Sequence, residues 1–385
     1  MVNGPLWCYF YAMKYVDNEN PMASMRFSCT QVGPNSLVYG TEDDLRKGLS
    51  SIETYAKPER VFVESNCSVS LVGDDVQGIA DQMDFPWPVY AMDSGGMKGS
   101  FEAGYSAASL RTEKEMKTKE KIPASVNVLG LSTVHMKGRE DAEEIRRLLS
   151  LCGIRVISMP GGGSNWDDIM AAPSASLNIV VRDELGLSLA KQMERDFGTP
   201  YMSSGLPYGT DGTMAWLSEI IEKLGAGELT RASHEAAKLK EFLLRKGNNL
   251  ESLWGPLWFD AVLISAPPSE ALGIAEAIRS EWIDTAHLCI HAQCETEKST
   301  PAADAIRVVM KNEKEIAKDY EDWQGGLVLS SSHETHLLRR MGRSFTGFHI
   351  ALPSHDEVHF SDLPQCGLRG AGYLYEQLWN AKLRK

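Results

Sequence analysis

The feature that most constrains this chain is a rhythm repeated three times: a short apolar run, a turn, then an amphipathic helical stretch, then another apolar run. In the first segment, from about Ser36 to Leu110, SLVYG reads as a strand and turn. TEDDLRKGLSSIETYA follows as a helix with Thr41 and a run of acids at its start, then RVFVES as a strand, VQGIADQM as a helix and PVYAMD as a strand. The second segment runs through SVNVLGL, the helix EDAEEIRRLLSLCG, the strand IRVISM, the strand LNIVV and a helix near LSLAKQMERDFG. A long polar helical stretch, Glu228–Lys246, leads to the third: FDAVLISA, PSEALGIAEAIRSEW, AHLCIHA, GLVLSSS, HETHLLRRMG and GFHIALP. Strands alternating with helices of this length imply right-handed βαβ units and parallel sheets. The expected architecture is α/β, three Rossmann-like domains with parallel sheets, over 1–118, 119–250 and 251–385. The charged stretch RTEKEMKTKEKIP (Arg111–Pro123) marks the first boundary, and a C-terminal helix closes the third domain. Domains of this kind place ligands at the carboxyl ends of their strands.

The chain has 385 residues, enough for two or three domains, and an ordinary apolar fraction of 43%. A net charge of −13 argues against nucleic acid or an anionic membrane surface as a partner. No apolar stretch is long enough to span a bilayer, and the N-terminus lacks the basic region of a secretory signal. The expected compartment is the cytoplasm. The seven cysteines, Cys8, Cys29, Cys67, Cys152, Cys289, Cys294 and Cys366, are then expected to be free thiols or ligands rather than a disulfide framework.

No G-x-x-x-x-G-K-[ST] motif occurs, so this chain is not expected to bind a nucleotide in a P-loop. Gly161–Gly163 in MPGGGSNWDD reads as a plain turn before a helix rather than an anion site. Cys152 falls on the apolar face of its helix. Cys8, after the turn Asn3-Gly4-Pro5, and Cys67, after the strand VFVES, each stand at a junction where a thiol faces either a core or a cleft. In AHLCIHAQC, His287, Cys289 and His291 share one face of a strand, a set that zinc could use, although without a CxxC or HxxxH partner the structural reading is preferred. His333 and His336 read as exposed or capping residues.

NGPLWC, SLVYGTEDDL and VFVESNCSVSLVGDDVQGIA, in this order, resemble the nitrogenase component 1 family, the subunits of the molybdenum–iron protein and their relatives. GGMKGS with Gly104-Tyr105, VNVLGL, ASLNIVV and IALPSHDEVHFSDLPQCGLRGAGYL extend the resemblance along nearly the whole chain. It implies an iron–sulfur cluster, of the 4Fe-4S type and shared across a subunit interface, with Cys8 and Cys67 as its metal ligands. It also implies a homologous subunit, in a homodimer or heterotetramer, and a separate P-loop ATPase iron protein that donates electrons. The family's first cluster cysteine lies well upstream of the position of Cys8, so the resemblance leaves one ligand unaccounted for; Cys29, in RFSCTQVG, is the residue that would substitute. The family's cysteine for a catalytic metal cofactor should fall near Val180–Arg182, where there is none. The cofactor histidine is also out of its usual context, with His355 and His359 read as exposed loop residues. Asp74 and Asp75 are expected to cap the next helix. The implied function is a subunit of a nitrogenase-like two-component reductase, its substrate unknown and a tetrapyrrole the best-known precedent. The alternatives are a cofactor-assembly scaffold of the same fold and a degenerate structural paralogue without a cluster.

Overall fold

The computed structural model describes residues 1–19 and 23–384. It divides into two compact units, Met1–Lys114 and Glu115–Lys385, and the division falls inside the charged stretch that begins at Arg111.

In the first unit, β1 (Val2–Asn3), β2 (Val61–Ser65) and β3 (Val89–Asp93) form a parallel sheet with β2 in the centre. Val61, Val63 and Ser65 alternate inward along β2, the period of two that a half-covered strand requires. Leu45 and Leu49, four residues apart on the helix Glu42–Tyr55, pack fully buried against Val61 and Val63. Each such leucine contributes about 1.5–3 kcal/mol. Three acids occupy the first turn of that helix, where the helix dipole favours negative charge.

The stretch SLVYG is a helix, Pro34–Tyr39, and not the strand its β-branched and aromatic residues suggest. Pro34 stands at the first helical turn and glycines flank both ends, a punctuation that selects a helix locally. Val38 and Tyr39 stay exposed, so no sheet contact rewards the alternative.

The second unit carries two parallel sheets. One has β4 (Ile122–Leu129), β5 (Arg155–Ser158), β6 (Ala175–Val180) and β7 (Tyr201–Ser203) in the order β5-β4-β6-β7. The other has β8 (Trp258–Ala266), β9 (Asp284–Ala292), β10 (Ala305–Val308), β11 (Leu327–Ser330) and β12 (Thr346–His349) in the order β10-β9-β8-β11-β12. The helix Thr230–Trp254 precedes the second of these sheets in sequence, and the helix Gly367–Leu383 closes the chain. Val126 and Val128 of β4, Ile264 of β8 and Leu329 of β11 belong to one continuous buried cluster. Cys152 is fully buried there. No helix among the described residues is long and apolar enough to cross a membrane.

Candidate functional site

The carboxyl ends of the three strands in the first unit bring the candidate cysteines to one edge of the sheet. Cys8 lies in the first turn of the helix Leu6–Glu19, directly after β1, rather than after an open turn. Cys67 is the first residue of the helix Cys67–Val72, two residues beyond the end of β2. Gly95 and Gly96 follow β3. The thiol of Cys8 is exposed and that of Cys67 half-buried.

Asn66 joins the two. Its side-chain oxygen accepts from the Val69 N–H at 3.1 Å and caps the helix of Cys67, while its Nδ2 donates to Cys8 Sγ at 3.2 Å. The cap fixes which end of the amide is oxygen, so the nitrogen necessarily faces the sulfur. Asn66 was not among the residues singled out from the sequence. The available signal was its place as an N-cap residue immediately before a cysteine.

Glycines hold this edge open. A Cβ on Gly4 would sit 2.5 Å from Asn66 Cγ, and one on Gly95 would sit 3.0 Å from the Cys67 backbone nitrogen and 2.8 Å from Ser70 Oγ. A Cβ on Gly96 would lie 3.5 Å from Cys67 Sγ. Beyond β3, Asp93 accepts from the Ser70 hydroxyl and pairs with Lys98 at 3.0 Å. Those two partners, Ser70 first, hold its carboxyl below the usual range.

Cys29 is engaged differently. It bridges Val2 beside β1, its thiol donates to the Gly4 carbonyl at 3.3 Å, and its sulfur accepts from the Gln31 N–H at 3.4 Å. Burial raises its pKa, partly offset by that N–H. Of the paired acids, Asp75 caps the next helix through the Gly78 N–H at 2.9 Å. Asp74 instead turns back to Thr41, accepting from its hydroxyl at 2.8 Å and from its N–H.

Large exposed apolar side chains stand on the two helices that carry these thiols. Trp7 is 69% exposed and Tyr11 57%, and with Phe10 their rings contact one another on the helix that carries Cys8. Leu71, one turn beyond Cys67 on the same helix, is 73% exposed. Exposed apolar groups gathered in this way are uncommon on a monomer's surface.

In the second unit, the residue two beyond the end of β6 is Arg182, which stands where the resemblance expects a cofactor thiolate. It is fully buried, and its guanidinium donates to Glu270 from Nε at 2.8 Å and Nη2 at 2.6 Å, and to the Gly130 carbonyl at 3.3 Å. Asp141 lies 4.0 Å away. Burial is the largest single influence on Glu270 and would push it up, but the Arg182 charge, His135 at 3.5 Å and the Arg182 hydrogen bonds together outweigh it, and the carboxyl sits below its usual range. For Asp141 burial wins, and its carboxyl is pushed up to about 6. This position is therefore filled by a positive charge with its own counter-ions.

His355 is exposed, as expected for a loop residue. His359, expected to be exposed too, is half-buried; with His349 and Glu357 it forms a set of ligand atoms all within 4.8 Å of one another. Burial holds both imidazoles below their usual range. The turn at Gly161–Gly163 leads into the short helix Trp166–Ala171, closed by a capping box between Asn165 and Asp168. His333 donates its N–H to the Ser331 cap of the helix Ser332–Arg340, and His336 is an exposed partner of Asp356 at 3.7 Å.

Three parallel sheets with cysteines gathered at one carboxyl edge define an α/β protein of Rossmann-like build, with a thiol site turned toward an apolar face. The chain belongs to the nitrogenase component 1 type oxidoreductase family, whose family model matches residues 1–383. It is 30% identical over 260 residues to the nitrogenase iron-molybdenum cofactor biosynthesis protein NifE of Clostridium pasteurianum, covering 66% of this chain and 54% of that one. It is 24% identical over 379 residues to a subunit of the light-independent protochlorophyllide reductase of Chloroherpeton thalassium, covering 92% of this chain and 69% of the relative. The chain thus spans about half of the first relative's length and about two thirds of the second's. Among solved structures, nitrogenase Cp1 at pH 6.5 matches with a TM-score of 0.74 at 16% identity, covering 100% of this chain and 88% of that one. This likeness establishes the shared fold.

Proposed function

We propose that the chain is a subunit of a nitrogenase-like two-component reductase, in which an ATP-dependent partner delivers electrons through an iron–sulfur cluster to an organic substrate. The observation that carries this reading is the placement of Cys8 and Cys67 on either side of Asn66, at the carboxyl edge of the first sheet. Thiolates are the ligands such clusters take, and the two thiols fit one because they are open, glycine-flanked and already supplied with a hydrogen-bond donor. Cys8 and Cys67 would hold the cluster, and Cys29, tied to Gly4 and Gln31, is the reserve. When bound, the cluster supplies one-electron transfer at low potential. Asn66 donates to the Cys8 sulfur, a contact of the kind that tunes metal sites through their ligands. The aromatic collar around Cys8 suits a homologous subunit, which would cover the thiols and contribute the remaining ligands.

Arg182 supports a reductase that works without a cysteine-anchored metal cofactor just beyond β6, the arrangement expected for a tetrapyrrole substrate. The relative at 24% identity, a protochlorophyllide reductase subunit, agrees with that substrate class. A second reading, an assembly scaffold that holds a cofactor precursor, is favoured by the 30% identity to a cofactor biosynthesis protein.

The deciding experiment combines the cluster-loaded protein, its partner ATPase, ATP and a tetrapyrrole under anaerobic conditions. ATP-dependent, multiple-turnover loss of the tetrapyrrole absorption supports the reductase. Cluster retention with no turnover on any tetrapyrrole leaves the scaffold and removes the reductase.

A further inference from the structure

The second unit also gathers a cysteine, a histidine and a carboxylate into one cluster, unrelated to the cysteine edge and distinct from the set of His349, Glu357 and His359. Cys289 and His291 are two residues apart on β9 and so point to one side of the sheet. The helix Glu313–Glu321 brings Asp319 onto them. One ligand atom from each, sulfur, nitrogen and oxygen, lies within 4.8 Å of the others. His287, which the sequence groups with this pair, is exposed and outside the set.

The surroundings match a metal site in two respects. His291 is fully buried; its Nε2 faces Asp319 Oδ2 at 2.9 Å, and its Nδ1 lies 3.4 Å from the Tyr320 hydroxyl. A ligand histidine commonly has its second nitrogen oriented in this way. The place a cation would take is occupied by Arg307, on the edge strand β10. Its Nη1 lies 3.1 Å from Cys289 Sγ and 2.9 Å from Asp319 Oδ2. Arg307 also has an outward partner in Glu315, at 3.3 Å and largely exposed.

We propose that Cys289, His291 and Asp319 form a binding site for a divalent transition metal of the zinc class, which Arg307 guards by standing in for the cation until it swings out to Glu315. A mixed S, N, O donor set selects zinc, cobalt or nickel over magnesium or calcium, which require all-oxygen cages. Three protein ligands leave a fourth position open, and displacing Arg307 frees it for water or a further side chain.

The test titrates cobalt(II) into the full chain in its cluster-free form, reading thiolate-to-cobalt charge transfer, with zinc affinity from competition against a chromogenic chelator. The expected result is one equivalent bound with a thiolate band that Cys289→Ser abolishes and Cys67→Ser leaves unchanged. His291→Ala should weaken binding at least tenfold, and Arg307→Met should tighten it about tenfold, each variant being checked for native circular dichroism. A missing band, or a band that survives Cys289→Ser, would overturn the proposal. So would binding seen only in Arg307→Met, because Arg307 would then be the permanent occupant.

Discussion

Replacing Arg182 by methionine tests how the second unit tolerates charge in its interior. The substitution keeps the length and apolar stem of the side chain but strips Glu270 of both its guanidinium hydrogen bonds and leaves Asp141 without its nearby cation. Removing one partner of a buried pair costs about 3–5 kcal/mol, because the remaining charge has no compensation. In a unit of this size that corresponds to a melting-point loss of roughly 10 °C. Adding Glu270→Gln should recover most of the loss, since a neutral pair of similar volume is often no worse than the ion pair. The cost should also shrink from pH 8 to pH 5. Without Arg182 both carboxyls hold protons more tightly in the native state than in the unfolded chain, and taking one up relieves the buried charge. Urea denaturation followed by far-UV circular dichroism at both pH values, with linear extrapolation, reads all three quantities. A loss below about 1 kcal/mol at pH 8, an equal loss at both pH values, or no rescue by Glu270→Gln would each refute the reasoning.

Asp141→Asn extends the same logic to the wild-type network. With its native carboxyl at about 6 against an ordinary 3.8, Asp141 takes a proton in the native state first, so its contribution to stability falls as pH rises through that window. The variant should lose that slope and gain at most about 3 kcal/mol at pH 8, because its amide oxygen still accepts the Gln365 and Cys366 N–H groups; a loss of stability at pH 8 contradicts this. Asn66→Asp keeps the oxygen that caps the helix of Cys67 but removes the donor to Cys8, so urea stability should hold within about 0.5 kcal/mol. Its cluster signal in redox-titrated electron paramagnetic resonance should move to more negative potential. Asn66→Ala should lose about 1 kcal/mol as well. Trp7→Glu with Tyr11→Glu should convert the assembled protein to monomers by analytical ultracentrifugation, and an unchanged mass would mean that this face is not the interface.

The strands and helices legible in the sequence are those whose apolar period carries through packing. VFVES, FDAVLISA and AHLCIHA are β2, β8 and β9 because their inward residues meet a buried layer. SLVYG misleads because intrinsic β-propensity there has nothing to pack against, while Pro34 and the flanking glycines act locally. Cys67 could be placed from its strand end, but Cys8 reads as following a turn although a helix begins two residues before it. Arg182, Arg307 and Asp319 carry no motif at all, and Asn66 shows only its N-cap position. Each acts through a partner distant in sequence, and such pairings exist only once the sheets have assembled. Asp74 shows the same limit: its position suggests the next helix, yet the fold offers it Thr41.

The central claim is that Cys8 and Cys67 ligate an iron–sulfur cluster, and iron and acid-labile sulfide per chain after strictly anaerobic purification and reconstitution test it most directly. The account predicts iron and sulfide in equal amounts in the wild type, with both lost in Cys67→Ala and in Cys8→Ala while the fold is retained. A colourless, iron-free wild type, or iron and sulfide unchanged by both substitutions, would contradict it.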